Sequence, residues 1–199
     1  MDDMALLLLA AGASARMRGR DKLLETVGGQ PLLRRQAQAA LATGAQVYVT
    51  LPPGSEARRA ALDGLPVEIV EVADAGTGMA ASFRAGIAAL PATCRAVLVV
   101  LADMPDLGED DFRLFFKTFK GDPDTPILRG ASAGGRPGHP VLFPRRCFDD
   151  LAALTGDQGA KPILAAHADE VRLIPLPGQR ALTDLDTPEA WEHWRQAQQ

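Results

Sequence analysis

The sequence predicts an α/β fold in which helices cover both faces of a mostly parallel sheet. Two observations support this prediction. In the first half of the chain, segments with strand character alternate four times with segments of helical character, a pattern typical of parallel sheets. One of these strands, at 96–101, is apolar at every position, as expected of a strand that is covered on both faces. The 199 residues are enough for one domain with a sizeable core.

Local signals indicate the bounds of each element. Apolar runs and alternation predict the strands, while proline in a first helical turn, N-cap hydroxyls and acidic first turns predict the helices. The predicted strands are 5–10, 46–51, 67–72, 96–101, 140–143, 171–176 and 181–185. The predicted helices are 31–43, 55–62, 79–90, a segment that begins at 109, 146–154 and a last helix capped by Thr187. Residues 130–139 are predicted to form a loop.

The turn after the first predicted strand has the composition of a phosphate-binding site. The apolar run ends at Gly12, and the cations Arg16 and Lys22 flank the small residues of the turn. Small residues let backbone N–H groups approach a phosphate, and cations neutralise its charge. The turn has neither the P-loop spacing nor the dinucleotide fingerprint. Taken alone, it fits an ordinary surface turn equally well.

Two acidic positions are candidates for a metal site. Asp103 directly follows the strand 96–101, and Asp186 lies in a later acidic segment where alternation places Asp184 on the same side. Ligands of parallel sheets bind beyond the carboxyl ends of the strands, so Asp103 is expected to face the same crevice as the Gly12 turn. Taken singly, each acid has a simpler interpretation as a turn or helix-start residue. Together with Lys22 they favour Mg²⁺, which prefers oxygen ligands.

Composition argues against several classes of partner. The formal net charge of −4 leaves no basic surplus to hold a nucleic-acid backbone. The apolar run at 4–11 is too short to span a bilayer, and no basic residue precedes it as in a signal peptide. Cys94 and Cys147 have no metal-ligand spacing and are expected to be reduced in a cytoplasmic protein.

Other side chains have structural interpretations. The four phenylalanines between 112 and 119 have helical spacing and are expected to pack in the core. Trp191 and Trp194 are expected to anchor the last helix. The adjacent Arg58 and Arg59 are expected to form a solvated helix face.

Six segments, in order along the chain, resemble the MobA-like NTP transferase family. They cover nearly the whole sequence, at 8–24, 78–87, 100–107, 135–143, 156–164 and 183–191. The pair Ala10-Ala11 before Gly12 looks closest to the molybdenum cofactor cytidylyltransferases, whereas Arg18 stands where family members usually have glycine. The resemblance implies a three-layer Rossmann-like nucleotidyltransferase fold in a single domain, 1–199, with a nucleotide-binding half at 1–120 and an acceptor-binding half at 121–199.

The resemblance also implies a role for each matching residue. Lys22, Arg16 and Asp103 would carry catalysis, and Mg²⁺ would be held by Asp103 and Asp186. The nucleotide would lie against Ala10, Ala11, Gly12, Ala13, Ser14, Gly78, Met79 and Ser82. The molybdopterin-type acceptor would lie against Arg136, Gly138, His139, Pro140 and Asp157.

The implied reaction transfers CMP from CTP to the terminal phosphate of molybdopterin and releases pyrophosphate. A monomer or weak dimer is expected, with a molybdoenzyme or a chaperone as a possible partner and with no role for nucleic acid or membrane. Three alternatives stay open. They are a nucleotidyltransferase that acts on a sugar phosphate or other small phosphate, a non-catalytic chaperone that binds molybdenum cofactor, and an NAD-dependent oxidoreductase that uses the glycines of 76–81.

Overall fold

The computed structural model describes residues 3–122 and 125–198, in which strands and helices alternate along most of the chain. The strands are β1 (Met4–Leu9), β2 (Thr26–Val27), β3 (Gln30–Pro31), β4 (Gln46–Leu51), β5 (Glu68–Glu71), β6 (Ala96–Leu101), β7 (Ile127–Ala131), β8 (Pro137–Pro144) and β9 (Val171–Pro175). The helices are α1 (Leu32–Ala42), α2 (Glu56–Ala61), α3 (Met79–Ala88), α4 (Glu109–Thr118), α5 (Phe148–Ala152), α6 (Lys161–Ala166) and α7 (Pro188–Ala197).

Seven of the strands form one sheet in the order β5-β4-β1-β6-β8-β7-β9. The pairs of β1 with β4, β1 with β6, β4 with β5 and β7 with β9 are parallel. Strand β8 runs antiparallel to both of its neighbours. The prediction of a mostly parallel sheet is therefore confirmed. Because six strands point the same way, their carboxyl ends form one edge of the sheet, where open α/β folds bind ligands.

The two faces of the sheet are buried against separate sets of helices. Leu6 and Leu8 of β1 pack in one core cluster with residues of α1 and α4, whereas Leu7 packs in another with residues of α3 and α5. Successive side chains of a strand point to opposite faces, which explains this division and why β1 is apolar throughout. The four phenylalanines of 112–119 lie in or against the first cluster, as predicted. The fold has three layers, helix, sheet and helix.

The predicted loop at 130–139 is wrong, because both of its ends belong to strands. Strand β7 continues to Ala131, and β8 begins at Pro137. Glycine and proline are poor strand formers, so the local signal favoured a loop. The pairing tolerates them because its register shifts between Arg129 and Ala131, a bulge of the kind at which proline is accepted in a sheet.

The predicted strand at 181–185 is also absent from the structure. The segment is held by single backbone hydrogen bonds, which the N–H of His139 donates to Ala181 O at 2.8 Å and the N–H of Leu185 donates to Asp103 O at 3.1 Å. One hydrogen bond to each neighbour does not build a ladder. The segment instead forms a loop that lies across the carboxyl edge of the sheet.

Helix α7 packs against this loop and holds it in place. The Thr187 hydroxyl accepts a hydrogen bond from the Ala190 N–H at 3.2 Å, as expected of an N-cap. Trp191 is fully buried in a small cluster that includes Met17 and Leu185, so the expected anchoring role of this tryptophan is confirmed. Across the described ranges, no helix is both long and apolar enough to cross a bilayer.

Candidate functional site

A cavity of about 490 Å³ opens at the carboxyl edge of the sheet. Four pieces of chain surround it: the end of β1 with the turn after it, the loop before α3 with the first turn of that helix, the end of β6, and the loop before α6. The lining residues are Leu9, Ala10, Ala11, Gly12, Ala13, Lys22, Leu23, Ala75, Gly76, Thr77, Gly78, Met79, Ser82, Leu101, Asp103 and Asp157. Of the nucleotide-binding residues proposed from the sequence, all but Ser14 line this cavity.

Charged residues from three distant segments meet at one end of the cavity. The Lys22 ammonium donates to Asp103 Oδ2 in a short ion pair and to Asp186 Oδ1 at 2.6 Å. Arg16 Nη2 contacts Asp186 Oδ2 at 2.6 Å from an exposed position. The backbone bond from Leu185 to Asp103 aligns the two acidic segments. The structure therefore brings together the cations and acids that the sequence only suggested were near one another.

Charges in this cluster stabilise each other. Burial by itself lowers the pKa of Lys22, but the Asp103 and Asp186 carboxylates outweigh it and hold that pKa above its ordinary value. Burial opposes the charge of Asp186 as well, yet Lys22 and Arg16 keep the pKa of Asp186 below its ordinary value. Burial together with Asp103 and Asp186 raises the pKa of Asp184. At neutral pH the ammonium group is thus a fixed cation between two carboxylates.

The same carboxylates are suitable ligands for a divalent cation. Asp103 Oδ1 is buried and has no hydrogen-bond partner among residues 3–122 and 125–198, so one hard oxygen donor beside Asp186 is free to bind a ligand. In the part of the chain that the structure describes, no three His, Cys, Asp or Glu side chains are grouped to hold a metal. Mg²⁺ needs only one or two carboxylates, because it keeps several waters and binds substrate phosphates. The donor set fits such an ion.

The turn after β1, residues 10–14, is the candidate anion cradle, and there is open space beside it. A Cβ atom built on Gly12 meets nothing within 4 Å, so the surrounding protein leaves room there for a ligand. Ser14 does not face the cavity, since its hydroxyl donates to Asp21 Oδ1 at 3.2 Å. Arg18 adopts a left-handed φ of 54°, the conformation that glycine favours, so the turn keeps its path without the usual glycine at a local cost of about 1–2 kcal/mol.

Arg58 is the main residue that the sequence interpretation placed wrongly. It is buried rather than solvated, and its guanidinium bonds to Ala10 O at 2.6 Å and to Gly12 O at 2.8 Å. The sequence did contain a signal for its burial, because spacings of three and four residues place Arg58 on the same helical face as the buried Ala61 and the C-cap residue Leu62. Its charge suggested a solvated position instead.

The loop before α3 closes the other end of the cavity. Gly78 has a φ of 115°, and a Cβ atom there would lie 2.7 Å from Gly156 O, so only glycine allows this close approach. Asp157 Oδ1 accepts a hydrogen bond from the Met79 N–H at 3.2 Å. Asp157, which was predicted to face the acceptor, lies on the wall of this cavity beside the predicted nucleotide residues.

The other predicted acceptor residues lie at the start of β8, outside the cavity lining. Gly138 packs against the Ala181 backbone, and Pro140 is buried within β8. Burial, with a contribution from Arg129, lowers the pKa of His139 to about 4. Arg136 is exposed in the turn that joins β7 to β8. Of the five predicted acceptor residues, Asp157 lines the cavity and the other four do not.

Fold and site together define a class of protein. The parallel sheet, the turn after β1 and the acidic residues at its carboxyl edge are those of an α/β nucleotidyltransferase fold. Residues 6–171 match the family model of the MobA-like NTP transferase domain, so the chain belongs to that transferase family.

Similar proteins carry different names. The chain is 30% identical over 188 residues to nicotine blue oxidoreductase of Paenarthrobacter nicotinovorans, covering 92% of each. It is 28% identical over 193 residues to a probable molybdenum cofactor guanylyltransferase of Nostoc sp., covering 95% of this chain and 89% of that one. The crystal structure of Rv0371c from Mycobacterium tuberculosis H37Rv superposes with a TM-score of 0.85 at 28% identity, over 98% of both chains. That protein has also been solved in complex with manganese, with a TM-score of 0.80 and 26% identity.

Proposed function

We propose that this protein transfers CMP from CTP to the phosphate of a molybdopterin-type acceptor and releases pyrophosphate. One observation carries the proposal: Lys22, Asp103 and Asp186 converge at the end of a cavity that the Gly12 turn lines. A family of NTP transferases needs such a place for a triphosphate. The molybdenum cofactor relative supports the acceptor class.

The choice of CTP rests on a narrower argument. The relative from Nostoc is named as a guanylyltransferase, so the family includes more than one nucleotide specificity. The Ala10-Ala11 pair before Gly12 resembles the cytidine-transferring branch. The base itself would bind at the end of the cavity away from Lys22, where Thr77, Ser82 and Asp157 supply polar groups.

The reaction needs little covalent chemistry from the protein. An oxygen of the acceptor phosphate attacks the α-phosphorus of the nucleotide, and the bond from that phosphorus to the pyrophosphate oxygen breaks. Because the attacking oxygen is already anionic, no general base is required, and catalysis consists of positioning and charge stabilisation. Lys22 and Arg16 take up negative charge on the phosphates. A divalent metal ion held by Asp103 and Asp186 would add charge neutralisation at the same oxygens.

Pyrophosphate release tests the proposal directly. The protein is incubated with Mg²⁺ or Mn²⁺, each of the four ribonucleoside triphosphates, and either molybdopterin or a sugar 1-phosphate. We expect release with CTP and molybdopterin together. Release with GTP alone among the nucleotides would correct the base, release with the sugar phosphate would correct the acceptor, and binding of the cofactor without release would indicate a chaperone.

A second candidate function follows from the relative named as an oxidoreductase. Nicotine blue oxidoreductase matches 92% of this chain, and Gly76 and Gly78 line the cavity just before α3. An oxidoreductase would oxidise NADH or NADPH in the presence of a dye acceptor and would release no pyrophosphate from any nucleotide. Nicotinamide absorbance measured on the same preparation separates the two functions.

A further inference from the structure

We infer that Arg58 is a positioning residue of the nucleotide site, whose guanidinium sets the direction of the backbone N–H groups in the Gly12 turn. This inference rests on the proposed function in one respect: it requires that a triphosphate bind at the turn. It concerns a residue on α2 that does not line the cavity and that lies behind the turn.

The contacts of Arg58 account for most of its hydrogen-bonding capacity. Its side chain is only 6% exposed. Nη1 donates to Ala10 O at 2.6 Å, and Nη2 donates to Gly12 O at 2.8 Å. Nε and Nη2 donate to the two carboxylate oxygens of Asp21 at 2.6 and 3.0 Å. The planar fork of arginine can bind two carbonyls and a carboxylate at once, which the compact ammonium of lysine cannot do.

Holding these two carbonyls determines where the neighbouring N–H groups point. In a trans peptide, the C=O of one residue and the N–H of the next point in opposite directions. With Ala10 O and Gly12 O turned toward Arg58, the N–H groups of Ala11 and Ala13 are turned away from it. Both of these alanines line the cavity.

The two N–H groups are available to a ligand. Throughout residues 3–122 and 125–198, no protein oxygen accepts a hydrogen bond from the N–H of Ala11 or Ala13. Backbone N–H groups that point into one concavity bind anions, including phosphates. Arg58 therefore keeps two donors of the anion cradle aimed at the site where the phosphates would lie.

Asp21 links Arg58 to the turn that contains Lys22. While one carboxylate oxygen of Asp21 bonds to Arg58 Nε, the other also accepts the Leu23 N–H at 3.0 Å. This bond caps the turn in which Lys22 lies. Asp21 also neutralises the guanidinium, which reduces the cost of burying the charge. The ion pair of Arg58 with Asp21 thus contacts both the anion cradle and the turn that contains Lys22.

The test compares Arg58 with its neighbour Arg59. Arg59 is in the same helix but pairs with Glu71 at the surface, so Arg59→Lys and Arg59→Met are matched controls for Arg58→Lys and Arg58→Met. Calorimetry measures the affinity for inorganic tripolyphosphate and for each nucleoside triphosphate. Steady-state kinetics measure KM separately for nucleotide and acceptor, and circular dichroism with thermal melting reports the fold.

We expect both Arg58 variants to bind tripolyphosphate and nucleotide about 10- to 100-fold more weakly, the loss expected when hydrogen bonds to a charged ligand are weakened. KM for the nucleotide should rise while KM for the acceptor stays unchanged, a split that general loss of stability would not produce. The Arg59 variants should match the wild type.

Three results would overturn the inference. The first is wild-type polyphosphate affinity in folded Arg58→Lys and Arg58→Met. The second is an equal rise of KM for both substrates. The third is loss of the folded state in both variants, because that would make Arg58 a residue of stability alone. Failure of the proposed function gives a different result: tripolyphosphate binds to the wild type and depends on Arg58, yet no nucleotide supports pyrophosphate release.

Discussion

Replacing Lys22 with methionine removes the ammonium group at the centre of the site and keeps a side chain of similar length. In the structure that ammonium bonds to both Asp103 and Asp186, and the side chains of Lys22 and Asp103 are each only 13% exposed. No rearrangement of the backbone is needed to accommodate methionine. The substitution therefore tests charge and hydrogen bonding, with little change in volume.

The structure gives an expected size for two effects. Loss of one preorganised contact to transition-state charge costs about 2.7–4 kcal/mol, or roughly 10²- to 10³-fold in kcat. The free energy of unfolding should fall by about 1–3 kcal/mol, the cost of leaving a partly buried polar group without its partner. The larger penalty of a fully buried pair does not apply, because Asp103 lines the open cavity and Asp186, whose side chain is 23% exposed, keeps Arg16 as a partner.

The stability effect has a defined dependence on pH. The pKa of Lys22 is raised above 10.5 in the folded state. Its contribution to the free energy of unfolding is therefore complete below pH 10.5 and is lost as pH rises through the higher pKa of the folded state. The pKa of Asp186 is lowered below 3.8, so its contribution is complete above that pH and is lost as pH falls through the lower folded value. The wild type and Lys22→Met should differ by a constant amount across neutral pH, and by less in acid.

Pyrophosphate release and urea unfolding measure the two effects on the same protein. Lys117→Met is the matched control, because Lys117 is exposed on α4. If Lys22→Met kept its kcat within a few-fold of the wild type, or if Lys117→Met lost as much activity, the role given to Lys22 would be refuted.

Three further predictions follow from single positions. Gly12→Ala should keep the wild-type melting temperature, since its Cβ meets nothing within 4 Å, but should bind nucleotide at least about tenfold more weakly by calorimetry; unchanged affinity would mean that no ligand approaches Gly12. Burial and Arg129 lower the pKa of His139 from 6.5 to about 4, so the unfolded chain binds the extra proton, and stability should fall by about 3 kcal/mol as pH drops through that interval. In His139→Gln, the urea unfolding midpoint should not show this loss of stability at low pH. A midpoint that changes with pH as in the wild type would contradict the prediction. Trp191→Ala should lose about 3–5 kcal/mol of unfolding free energy, because Trp191 is fully buried against Leu185; a loss below about 1 kcal/mol would exclude the anchoring role.

Much of the fold could be predicted because its signals are local. Strands β4 and β6 begin and end where the apolar pattern predicted them, and Pro188 follows the Thr187 cap at the start of α7. The hairpin of β7 and β8 could not be predicted in this way. Its glycines and prolines are poor strand formers, and β8 forms only because β6 and β7 pair with it on both sides.

The candidate site, too, could be predicted only in part from local signals. Residue type and position near the ends of predicted strands were enough to propose Lys22, Asp103 and Asp186, although the strand predicted before Asp186 is absent. The backbone bond between Leu185 and Asp103, which brings the acids together, has no signal in either segment. Asp157 was proposed as an acceptor residue, and its hydrogen bond from the Met79 N–H had no signal in the sequence.

The sequence alone was enough to predict the alternation of strands and helices in the first half of the chain, the two-sided burial of the sheet and the kinds of charged groups available, because these depend on composition and short-range periodicity. Which of those groups meet depends on how distant segments pack. Arg58 shows the reason: a cation on a short helix is normally solvated, and nothing within ten residues of it shows that Ala10 O, Gly12 O and Asp21 will surround it. Partners that are distant in the chain are brought into contact by packing, and burial then makes their hydrogen bonds obligatory.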